Sequence, residues 1–319
     1  MKISVLGCGR WGSFIAWYLS LKDKTVLWGR EGSKNIESLL NTRTNGTVTL
    51  GDNTLVTTDL DRALENDTVV ISIASQQLSG FAESLSHRVK DGEYKRFILC
   101  MKGIEETSGR RLTEVFDASY TKPHSTAVWV GPGHVEDFVQ AIPNCMLIDS
   151  NDAELKKELA EELSSPLIRF YIGTDLIGSE VGAASKNVIG IAAGMLDGLS
   201  LSSLKGALMA RGAGEISRLI DAMGGDKLSA FGLCHLGDYE ATVFSKHSHN
   251  RAYGEAWVKG EEFEKLAEGV GTCRALMLLA SKYKVELPIC HAVYKMLFEK
   301  ADPQTTLNSL FSRDIKTEF

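Results

Sequence analysis

Short runs of aliphatic and β-branched residues alternate with amphipathic segments along the first half of the chain. The apolar runs lie at residues 2–7, 25–30, 68–74, 97–103 and 126–132. Each has the length of a buried strand, and the segments between them, such as residues 76–89, follow a helical period. Strands that alternate with helices predict βαβ units and a mostly parallel sheet. We therefore expect an α/β fold with a doubly wound sheet in this half.

The pattern changes near residue 175. Beyond that point the apolar positions follow long helical periods at residues 178–197, 204–223, 261–283 and 288–299. The second half is therefore expected to be all-helical. We place the domain boundary between residues 174 and 175, so that the predicted domains are 1–174 and 175–319.

A glycine-rich turn follows the first predicted strand and opens the first predicted helix. It reads Gly7-Cys8-Gly9-Arg10-Trp11-Gly12 and matches the pattern G-x-G-x-x-G. Glycines at these positions let the backbone turn sharply and approach a pyrophosphate, whose charge then lies at a helix N-terminus. The turn predicts a dinucleotide site in residues 1–174, with Cys8 as a small apolar filler rather than a redox switch.

The end of the second predicted strand bears on the choice between NAD and NADP. It reads Trp28-Gly29-Arg30-Glu31, with no carboxylate at the strand tip itself. Arg30 can accept a 2′-phosphate, whereas Glu31 can hold free ribose hydroxyls. We expect NADP to be accepted and leave NAD open.

Composition excludes several classes of protein. The 319 residues, 44% of them apolar, suffice for two cores, and a net charge of −6 argues against general binding to nucleic acid or a membrane surface. The six cysteines are scattered without a CxxC pair, as is typical of reduced thiols. Neither a signal peptide nor a membrane-spanning run is found, so a cytoplasmic location is expected.

One predicted helix, from Gly178 to Gly198, is built almost wholly of Gly, Ala, Val and Ile, yet it carries Lys186 and Asn187 side by side. Small residues sacrifice helix propensity, so they suit a helix whose backbone is closely approached. An ammonium in such a setting needs a carboxylate, a wet cleft or a lowered pKa. The plainer alternative is a surface lysine whose stem lies along the helix.

Other polar candidates lie in predicted loops. Lys102 follows a strand, at the edge where open α/β sheets bind ligands, and a solvated loop lysine is the alternative interpretation. Asp238 and Thr242 occur in a glycine-punctuated polar stretch, residues 232–254, which its composition alone would assign to a surface loop. Such groups can orient a proton donor for an alkoxide.

Taken together, these motifs resemble the NAD(P)-dependent glycerol-3-phosphate dehydrogenase family of the bacterial type. The similar segments are the glycine turn with its tryptophan, "NTRTN" (41–45), "MKGI" (101–104), "DLIGSEVGAASKNVIGIAAGMLDGL" (175–199), "EGVGT" (268–272) and "LFSRDIKTE" (310–318). They span nearly the whole chain. The resemblance implies interconversion of dihydroxyacetone phosphate and sn-glycerol 3-phosphate with NAD(P)H, supplying glycerophospholipid synthesis, and it allows a homodimer.

The resemblance also implies roles for individual residues. Lys186 would be the general acid/base, with Asn187 beside it and with Lys102, Asp238 and Thr242 as further active-site groups. The expected cofactor contacts are Gly7, Gly9, Arg10, Trp11, Gly12, Arg30, Lys102, Asn250 and Glu268. The expected substrate contacts are Lys102, Gly131, Lys186, Asp238, Ser248, His249, Asn250 and Arg251.

The chain departs from the family pattern in places that bear on phosphate binding. The family usually has arginine before the asparagine where this chain has Ser248-His249-Asn250, followed by Arg251. Arginine binds phosphate with a fixed fork, whereas histidine is only partly charged near pH 7, so Arg251 or another cation would have to substitute. The family's G-P-S-F-A segment becomes residues 131–135, "GPGHV", and the proline usual before Ser75 is missing.

Two other functions stay open. One is a hydroxy-acid dehydrogenase like the 3-hydroxyacid and 6-phosphogluconate enzymes, whose helix lysine and asparagine are several residues apart rather than adjacent. The other is a non-catalytic dinucleotide sensor. A metal site at His235, His247 and His249 is not expected, because no cysteine or carboxylate completes an evident ligand set.

Overall fold

The computed structural model of the protein describes residues 2–312, 314 and 317. Four residues of the predicted terminal motif lie outside the described residues, namely Arg313, Ile315, Lys316 and Glu318.

Eight described strands form one sheet, in the order β3-β2-β1-β4-β5-β6-β7-β8. They are β1 (Ile3–Leu6), β2 (Thr25–Trp28), β3 (Thr54–Thr57), β4 (Thr68–Ile71), β5 (Lys95–Leu99), β6 (His124–Val130), β7 (Asn144–Asp149) and β8 (Ile168–Ile172). The first six strands are parallel, and β7 runs antiparallel to β6 and parallel to β8. The predicted α/β fold is confirmed.

Three of these strands were not predicted from the apolar pattern. β3 has the sequence TLVT and pairs only with β2 among the described strands, while β7 and β8 include exposed or half-buried positions. Strands near a sheet edge need no continuous apolar run, because only one face or end is buried. Their sequences therefore lack the signal that marks β1 and β4, whose residues are all buried.

The described helices before residue 176 are α1 (Arg10–Ser20), α2 (Lys34–Thr42), α3 (Leu60–Ala63), α4 (Leu78–Ser86), α5 (Leu112–Ser119), α6 (Val135–Val139) and α7 (Ala153–Leu163). Those that follow are α8 (Leu176–Gly198), α9 (Lys205–Ala222), α10 (His249–Lys259), α11 (Gly269–Tyr283), α12 (Pro288–Glu299) and α13 (Pro303–Phe311). The predicted helical second half is confirmed.

Helices α10 and α11 correct the sequence interpretation locally. Residues 249–254 belong to α10 rather than to a surface loop, and α11 begins at Gly269 rather than at residue 261. The helix-like segment 261–268 contributes the ring of Phe263, which packs edge-on against Tyr253 at 5.8 Å between centroids. Tertiary contact thus overrides local propensity there.

The chain divides into two compact units. The first comprises Met1–Lys102 and Arg110–Glu180, and the second comprises Gly103–Gly109 and Val181–Phe319. The short segment Gly103–Gly109 belongs with the helical unit, where Glu106 forms an ion pair with Arg274. The division after Glu180 falls inside α8. No helix among the described residues combines the length and apolar character needed to cross a bilayer.

Glu180 is the last residue of the first unit, and its side chain caps the N-terminus of α5. Its carboxylate accepts hydrogen bonds from the Thr113 amide at 2.9 Å and the Thr113 hydroxyl at 2.7 Å, and it pairs with Arg111 at 2.7 Å. These groups precede or begin α5, where the first amides of a helix lack intrahelical partners. The first turns of α8 are therefore attached to α5.

Within the second unit, helix α8 packs so closely against α10 that glycine is needed at the points of contact. A Cβ on Gly194 would lie 1.8 Å from the Arg251 carbonyl oxygen, and one on Gly254 would lie 2.1 Å from the Ile191 oxygen. The backbones of α8 and α10 are thus in contact. The small residues of the signature helix are explained by this approach of another helix of the same unit.

We predict that Gly194→Ala destabilises the protein by roughly 1–3 kcal/mol or more, because α8 and α10 must separate to admit the methyl group. Gly214→Ala is the matched control within α9, since its Cβ would meet only the Arg218 guanidinium at 3.9 Å. That change should stabilise the helix by about 0.5–1 kcal/mol. Urea unfolding followed by circular dichroism measures both, and equal effects would contradict the packing argument.

Candidate functional site

The glycine turn between β1 and α1 has the geometry of a phosphate cradle. Gly7 has a φ of 116°, and a Cβ there would lie 2.0 Å from the Ser72 oxygen that follows β4. A Cβ on Gly12 would lie 1.9 Å from the Gly7 oxygen, whereas one on Gly9 would meet nothing within 4 Å. Gly7 and Gly12 are therefore needed by the fold, and Gly9 leaves open space at the N-terminus of α1.

Arg10 and Trp11, two of the three variable residues of the turn, are held differently. Arg10 forms an ion pair with Glu136, so its guanidinium already has a carboxylate partner. The Trp11 ring lies 5.0 Å from Phe14 and 6.4 Å from Phe138 between centroids. Its buried Nε1 has no hydrogen-bond partner among the described residues. This N–H is a donor that a bound polar group can satisfy.

Lys102 and Gly131 meet at the same edge of the sheet as the turn. The Lys102 ammonium donates a 2.7 Å hydrogen bond to the Gly131 carbonyl and lies 6.0 Å from the centre of the Trp11 ring. Gly131 has a φ of 126°, and a Cβ there would lie 3.1 Å from the Met146 Cα. The carboxyl ends of β1, β5 and β6 thus bring these three predicted residues together.

Arg30 and Glu31 are both exposed just beyond the end of β2. The Arg30 carbonyl accepts the Ser33 amide at 3.2 Å, which turns the chain toward α2. Cys8 lies beneath this corner, since a Cβ on Gly29 would be 2.4 Å from its sulfur. Burial raises the pKa of the Cys8 thiol, which keeps it neutral, in agreement with a packing role.

The centre of the helical unit is a buried lysine. The Lys186 ammonium lies 2.7 Å from Asp238 Oδ2 and donates a 2.7 Å hydrogen bond to Thr242 Oγ1. The three residues are 7%, 1% and 2% exposed, respectively. The Thr242 hydroxyl donates to the Asp238 carbonyl at 2.8 Å, which turns an oxygen lone pair toward the ammonium. Lys186 is therefore a buried, paired ammonium rather than a surface lysine.

Asn187 is buried beside Lys186, at 5% exposure. The beginning of α11 lies against it, because a Cβ on Gly269 would be 2.8 Å from the Asn187 carbonyl oxygen. Glu268, a predicted cofactor contact, precedes that glycine and accepts a 3.0 Å hydrogen bond from the Thr272 hydroxyl through its carbonyl. Lys186, Asn187 and the start of α11 thus occupy one region of the helical unit.

Residues 248–250 form the beginning of α10. Ser248 caps the helix by accepting the Arg251 amide at 3.3 Å, and the Asn250 side-chain oxygen accepts the Gly269 amide at 2.9 Å. His249 is half-buried, with Nδ1 3.3 Å from the Leu266 carbonyl oxygen. The predicted substrate contacts Ser248 and Asn250 therefore also have structural roles.

Arg251, which the sequence suggested as a substitute for the family's arginine, is engaged elsewhere. Its guanidinium lies 2.8 Å from Asp197 and 2.9 Å from Glu255, and its Nε donates to the Ser245 carbonyl at 3.0 Å. Asp197 also pairs with Lys205 at 2.7 Å. Two carboxylates thus neutralise Arg251 and tie α8 to α10.

Sequence reasoning missed two residues beside Lys186. The ring of His235 bonds the Gly182 carbonyl at 2.8 Å and the Tyr239 hydroxyl at 2.6 Å, and both rings are completely buried. The signal that could have found them is the i, i+4 spacing of His235 and Tyr239 on either side of Asp238, which is compatible with a contact between the two rings. Both ring nitrogens of His235 have protein partners, and the described residues contain no group of three or more His, Cys, Asp or Glu side chains suited to a metal.

Known proteins share both halves of this architecture. A family model described as NAD-dependent glycerol-3-phosphate dehydrogenase N-terminus matches residues 2–156, and the corresponding C-terminus model matches residues 175–308. The glycerol-3-phosphate dehydrogenase (NAD(P)+) of Chlorobium phaeobacteroides (strain BS1) is 34% identical over 332 residues, which cover 100% of this chain and 99% of the relative.

Two further comparisons agree. The enzyme of the same name from Prosthecochloris aestuarii is 35% identical over 334 residues and covers 100% of both chains. A crystal structure of glycerol-3-phosphate dehydrogenase from Coxiella burnetii superposes with a TM-score of 0.90 at 28% identity, covering 98% of this chain and 99% of that one. The resemblance inferred from the motifs is confirmed, and the chain belongs to the NAD-dependent glycerol-3-phosphate dehydrogenase family.

Proposed function

We propose that the protein catalyses reversible hydride transfer between NAD(P)H and dihydroxyacetone phosphate, forming sn-glycerol 3-phosphate. The observation that carries this proposal is the buried contact of Lys186 with Asp238 and Thr242, on the helix that bears the family signature. Domain 1–174 would bind the dinucleotide and domain 175–319 would hold the substrate. The glycerol-3-phosphate dehydrogenase family models match both halves, which favours this reaction over hydroxy-acid oxidation.

The residues of the first unit fit a dinucleotide. Gly9 leaves open space where the first amides of α1 point, and the Trp11 Nε1 is a buried donor. Gly7, Gly9 and Gly12 would hold the pyrophosphate, and Arg30 would hold a 2′-phosphate. When bound, the reduced nicotinamide supplies the hydride. In this proposal Arg10, Trp11 and Lys102 line the cofactor site of this unit.

Proton transfer is assigned to Lys186. During reduction the substrate oxygen gains negative charge, and the ammonium both stabilises that charge and donates the proton. Asp238 holds the ammonium in place. The Thr242 hydroxyl donates its proton to the Asp238 carbonyl, so its oxygen can only accept from the ammonium, which orients the Lys186 N–H groups. Asn187 supplies a neighbouring amide for the substrate.

The phosphate of the substrate would contact residues 248–250, where His249 takes the place of the family's arginine. Arg251 has a smaller part in this proposal than the sequence suggested, because two carboxylates neutralise its guanidinium. The family resemblance implies a supply of sn-glycerol 3-phosphate to phospholipid synthesis and allows a homodimer, and the cytoplasmic location stays an expectation from the sequence.

We predict that the purified protein oxidises NADH, NADPH or both when dihydroxyacetone phosphate is added. Loss of nicotinamide absorbance measures the reaction, and a panel of keto acids serves as the control. Activity on keto acids without activity on the triose phosphate would favour a hydroxy-acid dehydrogenase. Cofactor binding without any turnover would favour a sensor.

We predict that Lys186→Met lowers kcat by roughly 10²–10⁴-fold, because the general acid is lost. The matched control is Lys205→Met, since both lysines have side chains 8% exposed and carboxylate partners at 2.7 Å. Lys205→Met should lower stability and leave kcat near the wild-type value. Equal losses of kcat in the two folded variants would assign Lys186 a structural role instead.

We predict that Arg30→Ala raises KM for NADPH by roughly ten- to hundredfold, the equivalent of one or two charge-assisted hydrogen bonds to the 2′-phosphate. KM for NADH should change little. Lys24→Ala is the control, because Lys24 is an exposed cation at the opposite end of the same strand. A parallel rise of both KM values in Arg30→Ala would remove this residue from the 2′-phosphate site.

A further inference from the structure

The side-chain partners of Lys186 come from a part of the chain with little regular structure of its own. Asp238 and Thr242 both lie in the segment 235–244, which consists of a three-residue 3-10 turn (Leu236–Asp238) and a five-residue π-helical turn (Glu240–Phe244). Such short turns lack a repeating hydrogen-bond ladder to fix their position. The 2.7 Å distances to Lys186 therefore need a separate attachment of this segment to α8.

His235 provides that attachment. Its Nδ1 lies 2.8 Å from the carbonyl oxygen of Gly182, which precedes Lys186 by one helical turn and so lies on the same face of α8. A Cβ at position 182 would be crowded, because it would lie 3.0 Å from the Cys234 sulfur and 3.1 Å from the His235 Cβ. The segment 235–244 and α8 are thus joined one turn away from the reacting ammonium.

The chemistry of the partners defines the protonation of the ring. A carbonyl can only accept, so Nδ1 of His235 carries the hydrogen that is donated to Gly182. Burial lowers the pKa of His235 to about 4, so the ring is neutral at neutral pH and its Nε2 accepts the Tyr239 hydroxyl. Tyr239 in turn lies against α9, where a Cβ on Gly212 would be 3.1 Å from its oxygen. In the neutral ring, Nδ1 therefore donates to the Gly182 carbonyl and Nε2 accepts from the Tyr239 hydroxyl.

We propose that His235 is a positioning residue for the proton transfer, which acts through Asp238 and Thr242 on Lys186. It fixes the position of the segment 235–244 along α8, so that the Asp238 carboxylate and the Thr242 hydroxyl contact the Lys186 ammonium. This inference rests on the proposed function, because it concerns the same proton donor. It adds a residue that the sequence had suggested only as a metal-ligand candidate.

The expected consequence of losing His235 follows from electrostatics. A buried ammonium whose carboxylate partner moves away gives up its proton more readily. The charged and titratable groups around the His235–Tyr239 pair are Lys186 on α8, Glu215 on α9, Asp238 and Cys234 on the turn, and Cys290 on α12. Asp238 is the member of this set that pairs with Lys186, so its displacement should dominate the effect.

The kinetic test compares His235→Leu with His235→Asn. Leucine removes both hydrogen bonds, and kcat for reduction of dihydroxyacetone phosphate should fall by roughly ten- to hundredfold, as misplacement of a catalytic group does. The high-pH limb of kcat should move to lower pH, because Lys186 must be protonated to donate. KM for NAD(P)H should stay the same. Asparagine can place an amide N–H near the Nδ1 position, so His235→Asn should recover most of kcat.

A second readout does not depend on turnover. Competitive acetylation with acetic anhydride across a range of pH, followed by mass spectrometry, reports the proton affinity of Lys186 in each folded variant. The midpoint for Lys186 should lie at lower pH in His235→Leu than in the wild type. Leu276→Ala, which removes buried apolar volume from α11, is the control for lost stability alone and should leave the midpoint unchanged.

The outcomes separate the two proposals. A wild-type protein without turnover on the triose phosphate overturns the proposed function, while the acetylation experiment still tests the link between His235 and Lys186. A wild type that turns over, with unchanged pH profile and acetylation midpoint in His235→Leu, overturns the positioning role. A shift of the same size in Leu276→Ala would also overturn it, because general loosening would then explain the effect.

Discussion

The helical unit is organised around the burial of one ammonium group. Removing Lys186 from water is costly unless a carboxylate and further hydrogen bonds replace its hydration. Asp238 and Thr242 supply both at 2.7 Å, and they come from a different stretch of chain. The charge is thereby kept in an apolar setting, where its field acts strongly on a nearby oxygen. The surrounding fold must hold three side chains in register for this to work.

Close packing along α8 meets this requirement. The glycines of α8 and α10 let two helical backbones touch, and Gly182 and Gly269 admit the turn at residue 235 and the beginning of α11. A methyl group at several of these positions would have to displace backbone rather than a flexible side chain. The sequence of α8 therefore sacrifices intrinsic helix propensity for precise placement of its neighbours.

Sequence reasoning succeeded where the physical signal is local. The alternation of buried runs and helical periods was enough for the α/β class, and the glycine spacing was enough for the turn after β1. It failed at β3, β7 and β8, whose burial is partial, and at α10, whose polar first turn is stabilised by the Ser248 cap. The need of Lys186 for a carboxylate was one of the alternatives that its apolar setting suggested. The roles of His235 and Tyr239 depend on contacts between segments distant in sequence, to which no sequence period corresponds.

The ion pairs of Arg10 and Arg251 show that sequence does not reveal whether a predicted side chain is available for a ligand. Arg10 lies in the glycine turn and Arg251 follows Asn250, so both were expected to contact anionic ligands, yet each already has a carboxylate partner. Residue type and position predicted their charge correctly. Their availability is a tertiary property, decided by Glu136 for one and by Asp197 and Glu255 for the other.

The boundary between the two compact units lies within α8, and this bears on whether the halves are modular. A chain cut after residue 174 would take Glu180 away from the amide of Thr113 and from Arg111, leaving the start of α5 without its carboxylate. A cut after residue 180 would instead leave Gly182 in the first, fraying turn of a shortened helix, with Lys186 only one turn further along. Because either division damages one half, each half is expected to be less stable as a separate fragment than in the intact chain.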